Sequence, residues 1–145
     1  MMRLTRLSLI TAILLITISC SKEFLIQEST SLDNFTCPSI DNCLSSKEKK
    51  ASSSYIMPFK MLGATSEENI EKLASVIRKI GGHKIERNDV YLKATNEEVQ
   101  LEFILNQKTK QIEVRSQVLK HSFFSYNQGR KDIETIRFNF FQGNF

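Results

Sequence analysis

From Val99 to Gln117 the chain alternates apolar and polar residues with a period of two. Val99, Leu101, Phe103 and Leu105 share one parity, with Gln100, Glu102 and Ile104 on the other. After a turn over 106–109, Ile112, Val114 and Ser116 alternate with Glu113, Arg115 and Gln117. This pattern predicts two strands of a half-exposed antiparallel meander. Val90–Ala94, following Asn88-Asp89, predicts a third strand, and 83–87 a further one. Upstream the period lengthens. Ile70, Leu73, Ala74, Ile77 and Ile80 fall on one helical face, opened by a Thr65/Glu68 capping box and closed by Gly81-Gly82. Ile133, Ile136 and Phe140 give a second helix over 130–141. Tyr55–Leu62 is a short apolar run whose Pro58 restricts it to an edge strand or an extended segment. The economical assembly is an α+β domain in two layers: an antiparallel sheet of about four to five strands with two helices on one face.

The first twenty residues follow a different logic. Arg3 and Arg6 precede an apolar run, Leu7–Ile18, interrupted only by Ser8, Thr11 and Thr17, and Ser19-Cys20 closes it. That is the layout of a secretory signal, and the run is short for a bilayer span, which needs about 20 apolar residues. Thr17-Ile18-Ser19-Cys20 resembles a bacterial lipobox, with Thr17 where Leu is usual. The expectation is a signal peptide over 1–19 and acylation of Cys20; an uncleaved anchor, or a cysteine that merely follows an ordinary signal, are the alternatives. Several acyl chains hold a protein durably, since each buried methylene contributes ~0.8 kcal/mol. Residues 20–36, rich in Ser, Thr, Asn, Gln, Lys and Glu, are expected to form a flexible tether, leaving 37–145 as a single domain facing the periplasm or the exterior of a bacterial envelope. Ser21, in place of an Asp, leans towards outer-membrane sorting.

Composition narrows the function classes. The formal charge of +4 falls to +2 once Arg3 and Arg6 leave with the signal, an evenly mixed surface without the footprint of a nucleic-acid binder. With ten Phe and no Trp, the core rests on Phe, Ile, Leu and Val. If Cys20 is acylated, Cys37 and Cys43 remain, and export places them in an oxidising compartment where a local disulfide is expected. Closing so small a loop contributes roughly 2 kcal/mol, so the bond fixes the shape of one loop rather than the fold.

Several short motifs, in one order, resemble an uncharacterised bacterial family catalogued as domain of unknown function 1499. Cys37-Pro38-Ser39-Ile40-Asp41-Asn42-Cys43-Leu44-Ser45-Ser46 is similar to its Cys-Pro-x-x-Pro-Asn-Cys-Val-Ser-Ser opening, and Tyr55-Ile56-Met57-Pro58 to its Tyr-Ile-x-Pro segment. Tyr91–Ala94, Glu102-Phe103, Val114–Ser116 and Gly129–Arg137 resemble later blocks. Asp41, Ser54 and Val99-Gln100 stand where that family often has Pro, His and an acidic pair, and an Asp usual beyond Ser116 is missing. The resemblance implies a divergent member and transfers no activity.

No residue set points to a catalytic centre or a bound cofactor. Cys37 and Cys43 are too far apart for a C-x-x-C redox pair, and Cys37, Cys43, His83 and His121 offer zinc-ligand types without zinc-site spacing. His83, after two glycines, is expected in an exposed turn, and His121 in a loop beside Phe123-Phe124 and Tyr126, which form either a core plug or a contact patch. Glu67-Glu68 and Glu97-Glu98 sit where acidic residues are ordinary, at a helix start and a turn. Arg115, with Ser116 beside it on a strand, stands out together with Arg130, Lys131 and Arg137. They are a candidate anion-binding group if the last helix crosses the sheet edge; otherwise Arg115 forms a cross-strand pair with Glu102 on a solvated face. The expected function is a non-catalytic binding or scaffolding module on the membrane, recognising an envelope protein or a small anion. The alternative is an enzyme acting on an anionic envelope substrate through Arg115.

Overall fold

A computed structural model describes residues 31–38, 42–120 and 127–143. Cys20, His121, Phe123, Phe124 and Tyr126 lie outside the described residues. Strands β1 (Cys43–Ser45), β2 (Phe59–Lys60), β3 (Lys84–Arg87), β4 (Tyr91–Thr95), β5 (Val99–Asn106) and β6 (Gln111–Val118) combine with helices α1 (Ser66–Ile80) and α2 (Gln128–Gln142). The six strands form one antiparallel sheet, ordered β1-β6-β5-β4-β3, with β2 also on β6. This is the expected α+β fold. The extra strands come from the β6 edge: β1 pairs with Arg115–Gln117 and β2 with Gln111-Ile112, so two short strands lie end to end along one long one. Pieces of two and three residues carry no readable period. Pro58 immediately precedes β2, at an edge where a missing donor is tolerated.

Both helices cover one face. Leu92, Ala94, Leu101, Phe103, Ile112 and Val114 meet Ile70, Leu73, Ile77, Ile133, Ile136 and Phe140 in a single apolar core. Phe59 is its hinge pin, with ring centroids 5.8 Å from Phe103 and 6.0 Å from Phe140. Helix α1 starts as expected, with the Thr65 hydroxyl accepting from the Glu68 N–H at 3.1 Å and Glu68 Oε2 accepting from the Ala64 N–H. It ends at Gly81, which with Gly82 takes φ of +78°, a conformation glycine adopts without a Cβ penalty. Ile80, expected on the buried stripe, lies in the last turn and is exposed.

The opposite face is not solvated as the alternation implied. Residues 31–36 fall within the stretch expected as a tether, yet Leu32–Asn34 form a 3-10 turn and Phe35 is fully buried against Tyr91 and Ile104. The physical reason is one large apolar side chain in a polar segment, placed beside the apolar spots of the sheet's second face. The strap is fastened by the Ser45 hydroxyl, which donates to the Phe35 carbonyl at 2.5 Å. Next to it, Cys37 and Cys43 form a disulfide with Cα atoms 5.6 Å apart, and the Cys37 N–H donates to Glu48 Oε1. Among the described residues no helix is long and apolar enough to cross a membrane.

Asn69, which the helical pattern did not single out, is fully buried. Its Oδ1 accepts from the N–H groups of Leu62 and Gly63, and its Nδ2 donates to the carbonyls of Gly63 and Thr65. One amide thereby satisfies four backbone groups at the entry to α1. Asn69→Ala strands several of them, each worth ~1–3 kcal/mol when buried without a partner. Urea unfolding should show a loss of about 3 kcal/mol or more, and Asn69→Asp, which turns a donor into an acceptor facing two carbonyls, should be no milder.

Candidate functional site

The described residues that gather unused hydrogen-bonding capacity lie where α2 begins. Gly129 sits so close to β6 that a Cβ on it would overlap the Ser116 hydroxyl, so the missing side chain is what lets the helix start press onto the strand. Beside this contact is a cavity of about 200 Å³, lined by Asn42, Ser54, Ser116, Asn127, Gly129 and Arg130 together with the disulfide's Cys43. Asn127 precedes the helix without a side-chain cap, and the first turn holds no acidic residue. Its leading N–H groups therefore keep the partial positive charge of a helix start.

Ser116 is 2% exposed, and its hydroxyl makes no hydrogen bond among the described residues. Arg130 Nη2 donates to the carbonyls of Ser53 at 3.0 Å and Tyr55 at 3.2 Å, which fixes the guanidinium and leaves its other donors for a further acceptor. None of the described residues lining the cavity is a carboxylate. A fixed cation, a helix start and a buried hydroxyl, with no neutralising acid among the described lining residues, make an environment that favours a small anion.

The other two arginines are engaged elsewhere. Arg137 donates to the carbonyls of Pro58 and Met57, pairs with Glu134 and lies 4.4 Å over the Phe59 ring; it ties α2 to the β2 run. Arg115 is on the face away from the helices. Its Nε meets Glu102 Oε2 at 2.7 Å, its Nη1 donates to the carbonyls of Asn34 and Thr36, and it stacks 4.9 Å from the Phe35 ring. The three guanidinium groups are not brought to one place, and the cross-strand pair is the reading of Arg115 that the geometry fits. Glu102 is 4% exposed and also accepts from the Tyr91 hydroxyl at 2.7 Å. Burial beside that carboxylate holds the Tyr91 phenol far above its ordinary value, so it remains a donor.

His83 corrects a sequence expectation, because its side chain is 5% exposed rather than displayed on a turn. Asn96 Oδ1 is occupied by the N–H groups of Glu98 and Val99, so its amide nitrogen faces His83 Nε2 at 3.1 Å. This sets Nε2 as an acceptor and Nδ1 as donor to the Gly81 carbonyl at 3.0 Å. Asp132, on α2, then finds no donor in the ring, its Oδ2 lying 3.8 Å from Nε2 and remaining buried without a hydrogen bond. Gln128 donates to Oδ1 only. Desolvation raises the Asp132 carboxyl above its usual 3.8. Cys37 and Cys43, joined to each other, have no thiolate to offer a metal.

Sequence reasoning named Arg130, and Ser116 as Arg115's neighbour on its strand, but not Gly129, Asn42 or Ser54 as their companions. For the serine a further signal existed: in the series Ile112, Val114, Ser116 it occupies a core-facing register position, where a hydroxyl calls for a reason.

Two measurements follow from these clusters. Arg115→Ala, which leaves the Glu102 carboxylate buried without its cation, should lose about 3–5 kcal/mol in chemical unfolding, whereas replacing both by apolar residues of similar volume should lose far less. For Asp132, the folded state holds the proton more tightly than the unfolded chain. Stability is therefore fullest below the usual aspartate value and falls as pH rises through 3.8 towards the raised folded value. Asp132→Asn should leave melting unchanged at the acid end of that window and raise the midpoint at pH 7.

Compared with known proteins, the sequence profile of the family described as "Protein of unknown function (DUF1499)" matches residues 35–140. No curated protein and no solved structure matches the chain significantly. The matched stretch opens at Phe35, the residue that anchors the strap, and runs to Phe140, the last buried residue of α2. A match of that extent, over most of the chain and all six strands, means that the protein belongs to the DUF1499 family.

Proposed function

We propose that this chain is an exported, lipid-anchored envelope protein whose folded domain binds a small anion and does not catalyse a reaction. Anchoring rests on the sequence at Thr17-Ile18-Ser19-Cys20. Binding rests on the cavity where Arg130, the α2 start and the Ser116 hydroxyl converge with no acid among the described lining residues. No imidazole stands beside a serine or cysteine nucleophile among the described residues, and covalent catalysis at such a nucleophile needs one. The alternative, an enzyme working through Arg115, would require a guanidinium already bonded to Glu102 and to two strap carbonyls.

Inorganic phosphate is the first probe. Ligand at a hundred-fold excess over its Kd stabilises a folded protein by about 2.7 kcal/mol. Phosphate should therefore raise the thermal midpoint of the full chain by several degrees and shift the amide resonances of Gly129 and Ser116. Arg130→Met, which keeps the stem and removes the donors, should abolish both effects, and Arg130→Lys should retain part of them. Unmoved resonances with phosphate, sulfate and carboxylates alike would remove the binding half of the reading. Intact mass of the protein extracted from membranes tests the other half through acylation of Cys20.

A further inference from the structure

The outward flank of α2 and the run before β2 leave three apolar side chains uncovered: Met57 at 63%, Phe138 at 62% and Phe141 at 44% exposure. The cause is Arg137. By clamping the Met57 and Pro58 carbonyls it pins that backbone against α2, and Phe138 and Phe141, three residues apart, share the neighbouring helical flank. Met57 and Phe141 border a broad groove of about 670 Å³ that also includes Lys47, Lys50 and Lys60. Lys50 and Lys60 form no ion pair among the described residues. The two acidic members of the groove are occupied, Glu48 with the Cys37 N–H and Glu113 with Lys47 and Ser46.

Apolar tips beside a groove that holds two lysines without an ion pair among the described residues are poorly matched to a protein partner, because lysine is depleted at protein interfaces. They match a bilayer bearing anionic headgroups. Aromatic and thioether side chains enter the acyl boundary, and ammonium groups reach lipid phosphates while their stems lie along the apolar layer. We infer that Met57, Phe138 and Phe141, with Lys50 and Lys60, form a membrane-docking face that seats the domain flat on an anionic bilayer. The inference rests in part on the envelope reading, which supplies the bilayer, but not on acylation of Cys20.

The sequence contains no tryptophan, so Phe138→Trp gives the full chain a single indole. Leu119→Trp, exposed at the opposite end of β6 from the β2 pairing, is the control. Both variants are added to vesicles of phosphatidylcholine with or without phosphatidylglycerol, with bromine on the acyl chains, and acylation is read by intact mass. The Phe138→Trp indole should be quenched several-fold more than the control in anionic vesicles, with Met57→Trp behaving alike. Lys50→Gln and Lys60→Gln, each removing one positive charge, should each reduce the partition responsible by about five-fold, and 1 M salt should reverse it.

Equal quenching of the two indoles in an acylated chain would overturn the docking face and leave the anchor intact. Selective quenching in an unacylated chain would uphold the face while refuting the anchor. Burial of the position 138 indole that depends on protein concentration and not on lipid would instead assign the patch to a second copy of the chain, and overturn the inference.

Discussion

The seat of helix α2 on strand β6 depends on one missing side chain. At Gly129 the helix start and the Ser116 hydroxyl share a space that a single added methyl group would fill. Because the helix sits there, Ile133, Ile136 and Phe140 close the core over the sheet. Two turns apart on the same helix, Arg130 and Arg137 reach successive carbonyls of the 53–58 segment and hold β2 against the β6 edge. A lateral displacement of α2 would move the cavity, both clamps and the exposed phenylalanines together. Glycine is otherwise unfavourable inside a helix by roughly 1 kcal/mol relative to alanine, so its presence in the first turn marks close approach rather than propensity.

The sheet has two polar problems and solves them differently. On the strap side, Glu102 and Arg115 are withdrawn from water together, each with further hydrogen bonds from Tyr91 or to the strap's carbonyls, which is the condition under which a buried ion pair can be tolerated. On α2, the half-buried Asp132 has one buried oxygen unserved, because the adjacent imidazole spends its donor on Gly81. The first arrangement is closed. The second retains an unfulfilled preference.

How much of this was legible follows from which contacts have a period. The β3–β6 meander and α1 were readable because their apolar residues repeat every two, or every three and four, positions along a single segment. Phe35, β1 and β2 were not, since one aromatic residue or two or three paired residues make no pattern and their partners lie 51 to 74 residues away in the chain. The polar parity of β5 and β6 was read as facing water because alternation reports that a face is different, not what lies over it. His83 was misplaced for the same reason: a residue after two glycines looks exposed until Asn96 and Asp132 arrive from elsewhere. For the candidate site, Arg130 was visible as chemistry, but its setting is made by backbone N–H groups, carbonyls and a glycine, none of which has a signature in composition.

The disulfide has a mechanical consequence. The loop it closes separates the strap from β1, so tension entering the folded body from the strap side is carried across the sulfur bridge into Cys43 and shared with the whole sheet through β6. A domain held from that end and dragged by surrounding flow would yield first at the strap, where Phe35 can peel away, while the cavity beside β1 keeps its shape.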